Sequence, residues 1–257
     1  MIVDNKIIQN DPSQEKIKFI LELFNSNKLI DAKKEIDRRL IAYPKSPVLF
    51  NILGAVFAAQ NKLQEALSNY NKSIKINPDY AQAYNNLGVC MYRLGKINEA
   101  IQNYQKAIKI QPSHVNAHNN LGIAFQELGE FKKAISCYQK TLKYEPENLI
   151  YFYQLSDLKK NILDSKLKNK INKIMRRENC DEKNLAYGNF LLAKYALKTK
   201  NYEKEFNYLL KGHRCYFDSE KKNFNKGIDY CLNELPKIKK LVNMNQSNKN
   251  IEKIHYK

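Results

Sequence analysis

The 257-residue sequence contains no tryptophan, only four histidines, eight glycines and seven prolines, and five cysteines that each stand alone. So few turn residues argue against a β-sandwich or a doubly wound α/β sheet, because both need many irregularly placed turns. Cys90, Cys137, Cys180, Cys215 and Cys231 are odd in number and form no C-x-x-C pair. They suggest neither a disulfide framework nor a zinc site, and a reducing cytoplasm is the expected compartment. No apolar run approaches the roughly 18 residues of a spanning helix. Met1 to Asp11 sets Asp4, Lys6 and Asp11 around short apolar pairs, unlike a secretory signal. Nucleophile elbows, Walker loops and supported carboxylate pairs are also missing, so no catalysis and no cofactor is expected. The remaining composition, 43% hydrophobic and 27% charged with a formal net charge of +18, is that of a soluble globular chain.

The scarce turn residues are periodic. Pro44, Pro78, Pro112 and Pro146 lie 34 residues apart, as do Gly54, Gly88 and Gly122, and Gly95 and Gly129. Three units read in parallel over 47–80, 81–114 and 115–148. In each, an aromatic or His (Phe50, Tyr84, His118) precedes Leu-Gly (Leu53-Gly54, Leu87-Gly88, Leu121-Gly122), and a bulky apolar residue follows (Phe57, Met91, Phe125). After a polar or Gly break come Ala66, Ala100 or Ala134, then Tyr70, Tyr104 or Tyr138, then the proline. Residues at i, i+3, i+4 and i+7 share a helix face, so Tyr84, Leu87, Gly88 and Met91 form one stripe. Gly88 and Ala100 are small where paired helices approach. The proline ends the second helix, because its ring clashes with continued helical backbone. One hairpin cannot bury its stripe alone, so neighbours must stack into a solenoid.

This spacing resembles the tetratricopeptide repeat, with Phe50, Tyr84 and His118 in the slot that family usually gives to Trp. The resemblance implies an all-α, right-handed solenoid of stacked antiparallel hairpins. Weaker copies flank the three units. An extension over 1–12 precedes a degenerate unit at 13–46, which keeps Ala32, Ile36 and Pro44 but has Ile20 in the Gly slot, as suits a terminal unit packed on one side. A degenerate hairpin follows over 149–180 and a repeat-like hairpin over 181–219. A C-terminal helix is expected over 220–243 and a frayed basic tail over 244–257.

The segments Leu155-Ser156-Asp157, 166–177, Asn184 to Phe190, Asn201 to Phe206 and Tyr208 to Gly212 are similar to the region that joins repeats to the catalytic domain in bacterial sulfotransferases. That resemblance, over about 149–217, implies the repeat portion of such an enzyme without its catalytic domain. The family's Gly-rich phosphate loop has no counterpart here, and the one glycine after Phe217 is Gly227.

If Tyr84, Leu87, Gly88 and Met91 face the partner helix, the other side of the first helices lines a concave groove. Its candidate residues are Asn51, Gln82, Asn85, Asn86, Tyr92, Arg93, Asn116, Asn119, Asn120 and Gln126. Each Asn amide carries donors and an acceptor, and a row of them can grip an extended peptide through its backbone. The Asn-Asn-Leu-Gly strings at 85–88 and 119–122 are similar to the asparagine ladder of the O-linked N-acetylglucosamine transferase repeats. The expectation is that Asn86 and Asn120 serve a peptide or protein partner, and that both can become Ala with helicity intact. Asn is abundant throughout the chain, so the alternative is a solvated helix surface.

His114 and His118 share a helix face, but no third ligand is placed beside them. His118 fills the aromatic slot and His114 lies at a hairpin boundary, so no metal is expected. Residues 149–257 carry 24 basic against 12 acidic side chains, whereas 1–148 carry 20 against 14. The densest stretch is 159–177, where Leu167, Ile171 and Ile174 form an apolar stripe and the lysines face outward. No recognised nucleic-acid module accompanies it, so nucleic acid or an acidic membrane surface ranks below a protein partner.

Overall fold

The computed structural model describes residues 11–220. The first ten residues of the extension, the expected C-terminal helix beyond Glu220, the basic tail, Cys231 and His255 lie outside them. The described residues form twelve α-helices and one short 3₁₀ helix, with no strand. Among the described residues the fold is an all-α array of helix hairpins in two compact units that divide between Glu145 and Pro146.

The first unit holds α1 (Gln14–Asn25), α2 (Leu29–Ala42), α3 (Pro47–Ala59), α4 (Leu63–Ile76), α5 (Ala81–Arg93), α6 (Ile97–Ile110), α7 (Val115–Glu127) and α8 (Phe131–Tyr144). Each helix packs on the next, and α3, α5 and α7 also touch one another in sequence. The hairpins close on a left-handed residue at the turn: Asn27 (φ 58°), Asn61 (φ 61°), Gly95 (φ 74°) and Gly129 (φ 73°), spaced by 34. At each turn the next N–H reaches back five residues, as Lys62 does to the Phe57 carbonyl at 2.9 Å and Lys96 to Met91 at 2.9 Å. This Schellman arrangement satisfies carbonyls at the end of the first helix. Asn tolerates this conformation better than other side chains, and Gly adopts it without steric cost.

Glycine inside the first helix has a different cause. A Cβ on Gly54 would lie 2.6 Å from Cε1 of Tyr70, and the same distance separates Gly88 from Tyr104 and Gly122 from Tyr138. The tyrosine of the second helix lies against bare backbone, and Tyr104 and Tyr138 are almost wholly buried. A mid-helix glycine costs about 1 kcal/mol. Burial of a large side chain returns roughly 2–3 kcal/mol, so the close pair is favourable. Ala32, Ala66, Ala100 and Ala134 are fully buried at the equivalent position of every second helix. In the first hairpin Ile20 takes the glycine slot and is itself fully buried, in one cluster with Ile36, which takes the tyrosine slot. The larger residue in the glycine slot thus meets a smaller partner than tyrosine.

The second unit contains α9 (Leu149–Leu158), α10 (Ser165–Met175), α11 (Glu182–Lys198) and α12 (Tyr202–Glu220), with the 3₁₀ helix Lys160–Ile162 after α9. Asn148, Asp164 and Asp181 cap α9, α10 and α11 by accepting backbone N–H groups. Leu149, Leu163, Leu167, Ile171, Ile174, Leu191 and Leu192 form its core. The aromatic-on-glycine contact returns with its roles exchanged: a Cβ on Gly212 of α12 would lie 2.5 Å from Cε1 of Phe190 on α11.

Gly88→Ala should therefore lower stability by about 2 kcal/mol through overpacking against Tyr104, read by denaturant unfolding. Unchanged stability would mean that the tyrosine moves aside freely.

Candidate binding face of the first helices

Asn51, Asn85, Asn86, Asn119 and Asn120 occupy two adjacent positions on α3, α5 and α7, and the structure joins four of them. Nδ2 of Asn120 donates to Oδ1 of Asn85 at 3.0 Å, and Nδ2 of Asn85 donates to Oδ1 of Asn86 at 3.3 Å. Nδ2 of Asn86 donates to Oδ1 of Asn51 at 3.0 Å. Gln82 adds a second donor to Oδ1 of Asn86 at 2.9 Å. The result is one amide chain across three helices. Asn51 and Asn85 are buried within it. Asn86 and Asn120 are thus rungs between helices, and these hydrogen bonds support the stack. Asn119 sits at the Asn51 and Asn85 position of α7, and its buried Oδ1 accepts no hydrogen bond.

Other predicted residues are also engaged. Arg93 reaches from α5 to the last turn of α3, donating to the Ala58 carbonyl at 2.8 Å and to Oδ1 of Asn61 at 3.0 Å. A cation over the carbonyl end of a helix is well placed for its dipole. The Tyr92 hydroxyl donates to Oε2 of Glu127 at 3.1 Å, joining α5 to α7. Burial first, and then this carboxylate, hold its phenol above the usual range. Gln126 accepts from the Tyr138 hydroxyl at 3.0 Å, so its oxygen serves α8. Asn116 is exposed, and Val89 and Ile123 are half-buried on the same face.

The arrangement leaves a surface poor in charge. Of the residues along it, Arg93 and Glu127 alone are charged, and both already have partners. A signal for the ladder was present in the chain. Asn51 to Asn86 and Asn85 to Asn120 are each 35 apart, one more than the repeat, so the second Asn of one unit meets the first of the unit before. Sequence reasoning also missed the anchor at the start of α3, where Ser46 donates to Asp11 and its Oγ caps Leu49 N–H at 3.1 Å.

His114 and His118 both have structural duties. Nδ1 of His114 accepts the Ala117 N–H at 3.2 Å and caps α7. Nε2 of His118 lies 2.9 Å from the Pro112 carbonyl, and its ring stacks on Tyr144 at 6.1 Å. Desolvation is the main cause that lowers the pKa of each. Among the described residues no three His, Cys, Asp or Glu side chains gather as a metal cluster.

With this geometry in view, residues 54–95 and 91–129 match a TPR repeat model, and residues 115–148 match a tetratricopeptide repeat model. Tetratricopeptide repeats are thus recognised over 54–148. A search of curated proteins found no match. Among solved structures, pilF of Pseudomonas aeruginosa is 18% identical with a TM-score of 0.60, covering 84% of this chain and 93% of its own. MamA is 20% identical with a TM-score of 0.49, covering 70% of this chain and 95% of its own. The likeness to pilF shows the helix-hairpin solenoid fold. The matched models end at residue 148, and none of these comparisons carries the sulfotransferase resemblance of 149–217.

Asn86→Ala should cost about 1–3 kcal/mol, because Asn51, Gln82 and Asn85 lose a shared partner; a denaturant midpoint equal to wild type would show the ladder to be idle. His114 and His118 favour the neutral form when folded. Their contribution is complete above the unfolded value of 6.5 and is lost as pH falls below it, since only the unfolded chain then gains protons readily. Melting curves at pH 7.5 and 5.5 should therefore differ less for the double variant His114→Asn, His118→Phe.

Proposed function

We propose that the chain is a non-catalytic protein-interaction scaffold, and that the face of α3, α5 and α7 receives an extended segment of a partner. The observation that carries this reading is the amide chain Asn120–Asn85–Asn86–Asn51, which fixes three helices into one surface before any ligand arrives. A surface already ordered loses little entropy on binding. Stacked hairpins characteristically offer such extended faces to partners. Among the proposed contact residues, Asn116 is the amide left most open, with Val89 and Ile123 as apolar neighbours. With its two charges engaged, the face suits a partner read through backbone and apolar groups. A cytoplasmic setting belongs to the same reading. It is supported by the cysteines standing singly in the sequence, of which Cys90 and Cys137 are buried free thiols.

The test is to select ligands from an unbiased peptide library and measure their affinity by calorimetry. Val89→Glu with Ile123→Glu should weaken them about tenfold or more by placing carboxylates where apolar groups dock, with an unchanged far-ultraviolet spectrum. Raising salt should have little effect, as few charges take part. Equal affinity for the double variant would sink the groove assignment.

A further inference from the structure

From Ser165 to Arg177 the second unit carries six cations and no acidic residue: Lys166, Lys168, Lys170, Lys173, Arg176 and Arg177. Leu167, Ile171 and Ile174 are buried and fix which way α10 faces. Three of the cations have local work. Arg177 forms a two-pronged pair with Glu147 at 2.5 and 2.8 Å. Lys168 lies over the Tyr195 ring at 5.7 Å and Lys170 over Phe152 at 4.9 Å. Lys166, Lys173 and Arg176 are exposed and have no ion pair among the described residues. Positions 166, 169, 173 and 176 share one helix face. Asn169, Asn172, Lys173 and Arg176 line an open depression of about 400 Å³ there.

We propose that this outward face of α10 binds the phosphodiester backbone of a nucleic-acid duplex without regard to sequence. Lys166 and Arg176 lie ten residues apart, or about 15 Å along the helix. A duplex strand presents one charge per roughly 3.4 Å of axis, so that span meets about four phosphates. Asn169 and Asn172 supply amides between the cations, suited to phosphate and sugar oxygens. A membrane-surface helix would instead need its apolar stripe outward, whereas here the stripe is buried in the protein. The face carries no aromatic side chain on which unpaired bases could stack, which favours a duplex over a single strand.

The experiment uses the full chain with fluorescent 20-base-pair DNA and RNA duplexes of arbitrary sequence, followed by anisotropy over a salt series. The triple variant Lys166→Gln, Lys173→Gln, Arg176→Gln should bind at least about tenfold more weakly at 100 mM salt. It should also reduce the slope of log affinity against log salt by roughly 2 to 3, at about 0.9 per phosphate contact. A control with the same change of charge, Lys132→Gln, Lys140→Gln, Lys143→Gln on α8, should shift the slope by less than about one. Binding of either duplex with this pattern supports the proposal and identifies which nucleic acid is preferred. Equal losses in the two triple variants would reduce the effect to net charge. No complex at 50 mM salt, or binding to phosphatidylserine vesicles and not to duplexes, would overturn it.

Discussion

A tyrosine ring laid on a glycine, with no space for one further carbon, sets the spacing of every regular hairpin in the first unit. The contact at Gly54, Gly88 and Gly122 requires a bare backbone on the first helix and a flat side chain on the second. The rest follows from that approach. A fully buried alanine beside each tyrosine keeps the helices close. The apolar residues around them then form a continuous core only if the next hairpin covers them. The first hairpin shows that the constraint lies in the pair: Ile20 and Ile36 fill the same volume by exchanging a large-against-nothing fit for two middle-sized side chains.

Polar groups finish what the apolar packing begins. Dispersion and burial bring α3, α5 and α7 together but have little directional preference along the stack. The asparagine chain adds direction, because each rung has a donor and an acceptor at a fixed register. Arg93 performs a related task at the other end of the helices, tying α5 to the carbonyl end of α3. Residues that look free to meet a partner are thus partly consumed in holding the surface still, and what they offer a ligand is a prepared shape.

Much of this was legible in the chain, because a period of 34 is written redundantly in glycine, alanine, tyrosine and proline. The turns could be placed from Gly95 and Gly129, and Asn61 fits the same backbone conformation for a known reason. The ladder was harder to read. An asparagine on a helix surface has the same letter whether it points to solvent or to a neighbour, and only the distance between helices decides which. The bond to Gln126 was hidden for the same reason, since the Tyr138 hydroxyl that donates to it lies on the other helix of the hairpin. In the second unit the period fails after Pro146, and the Phe190–Gly212 contact uses the familiar shapes in reverse order. A search tuned to glycine on the first helix passes over it.

The left-handed turn residues recur at 27, 61, 95 and 129 with nearly the same backbone angle. Every junction in this stretch is therefore interchangeable with every other. Excising residues 62–95 would join Asn61 to Lys96, set Asn120 opposite Asn51 where Asn86 now donates, and leave both the turn and the rung intact. A loss that is not a multiple of 34 would break the register at once. For such a chain, whole units are the natural currency in which its length can change over evolutionary time.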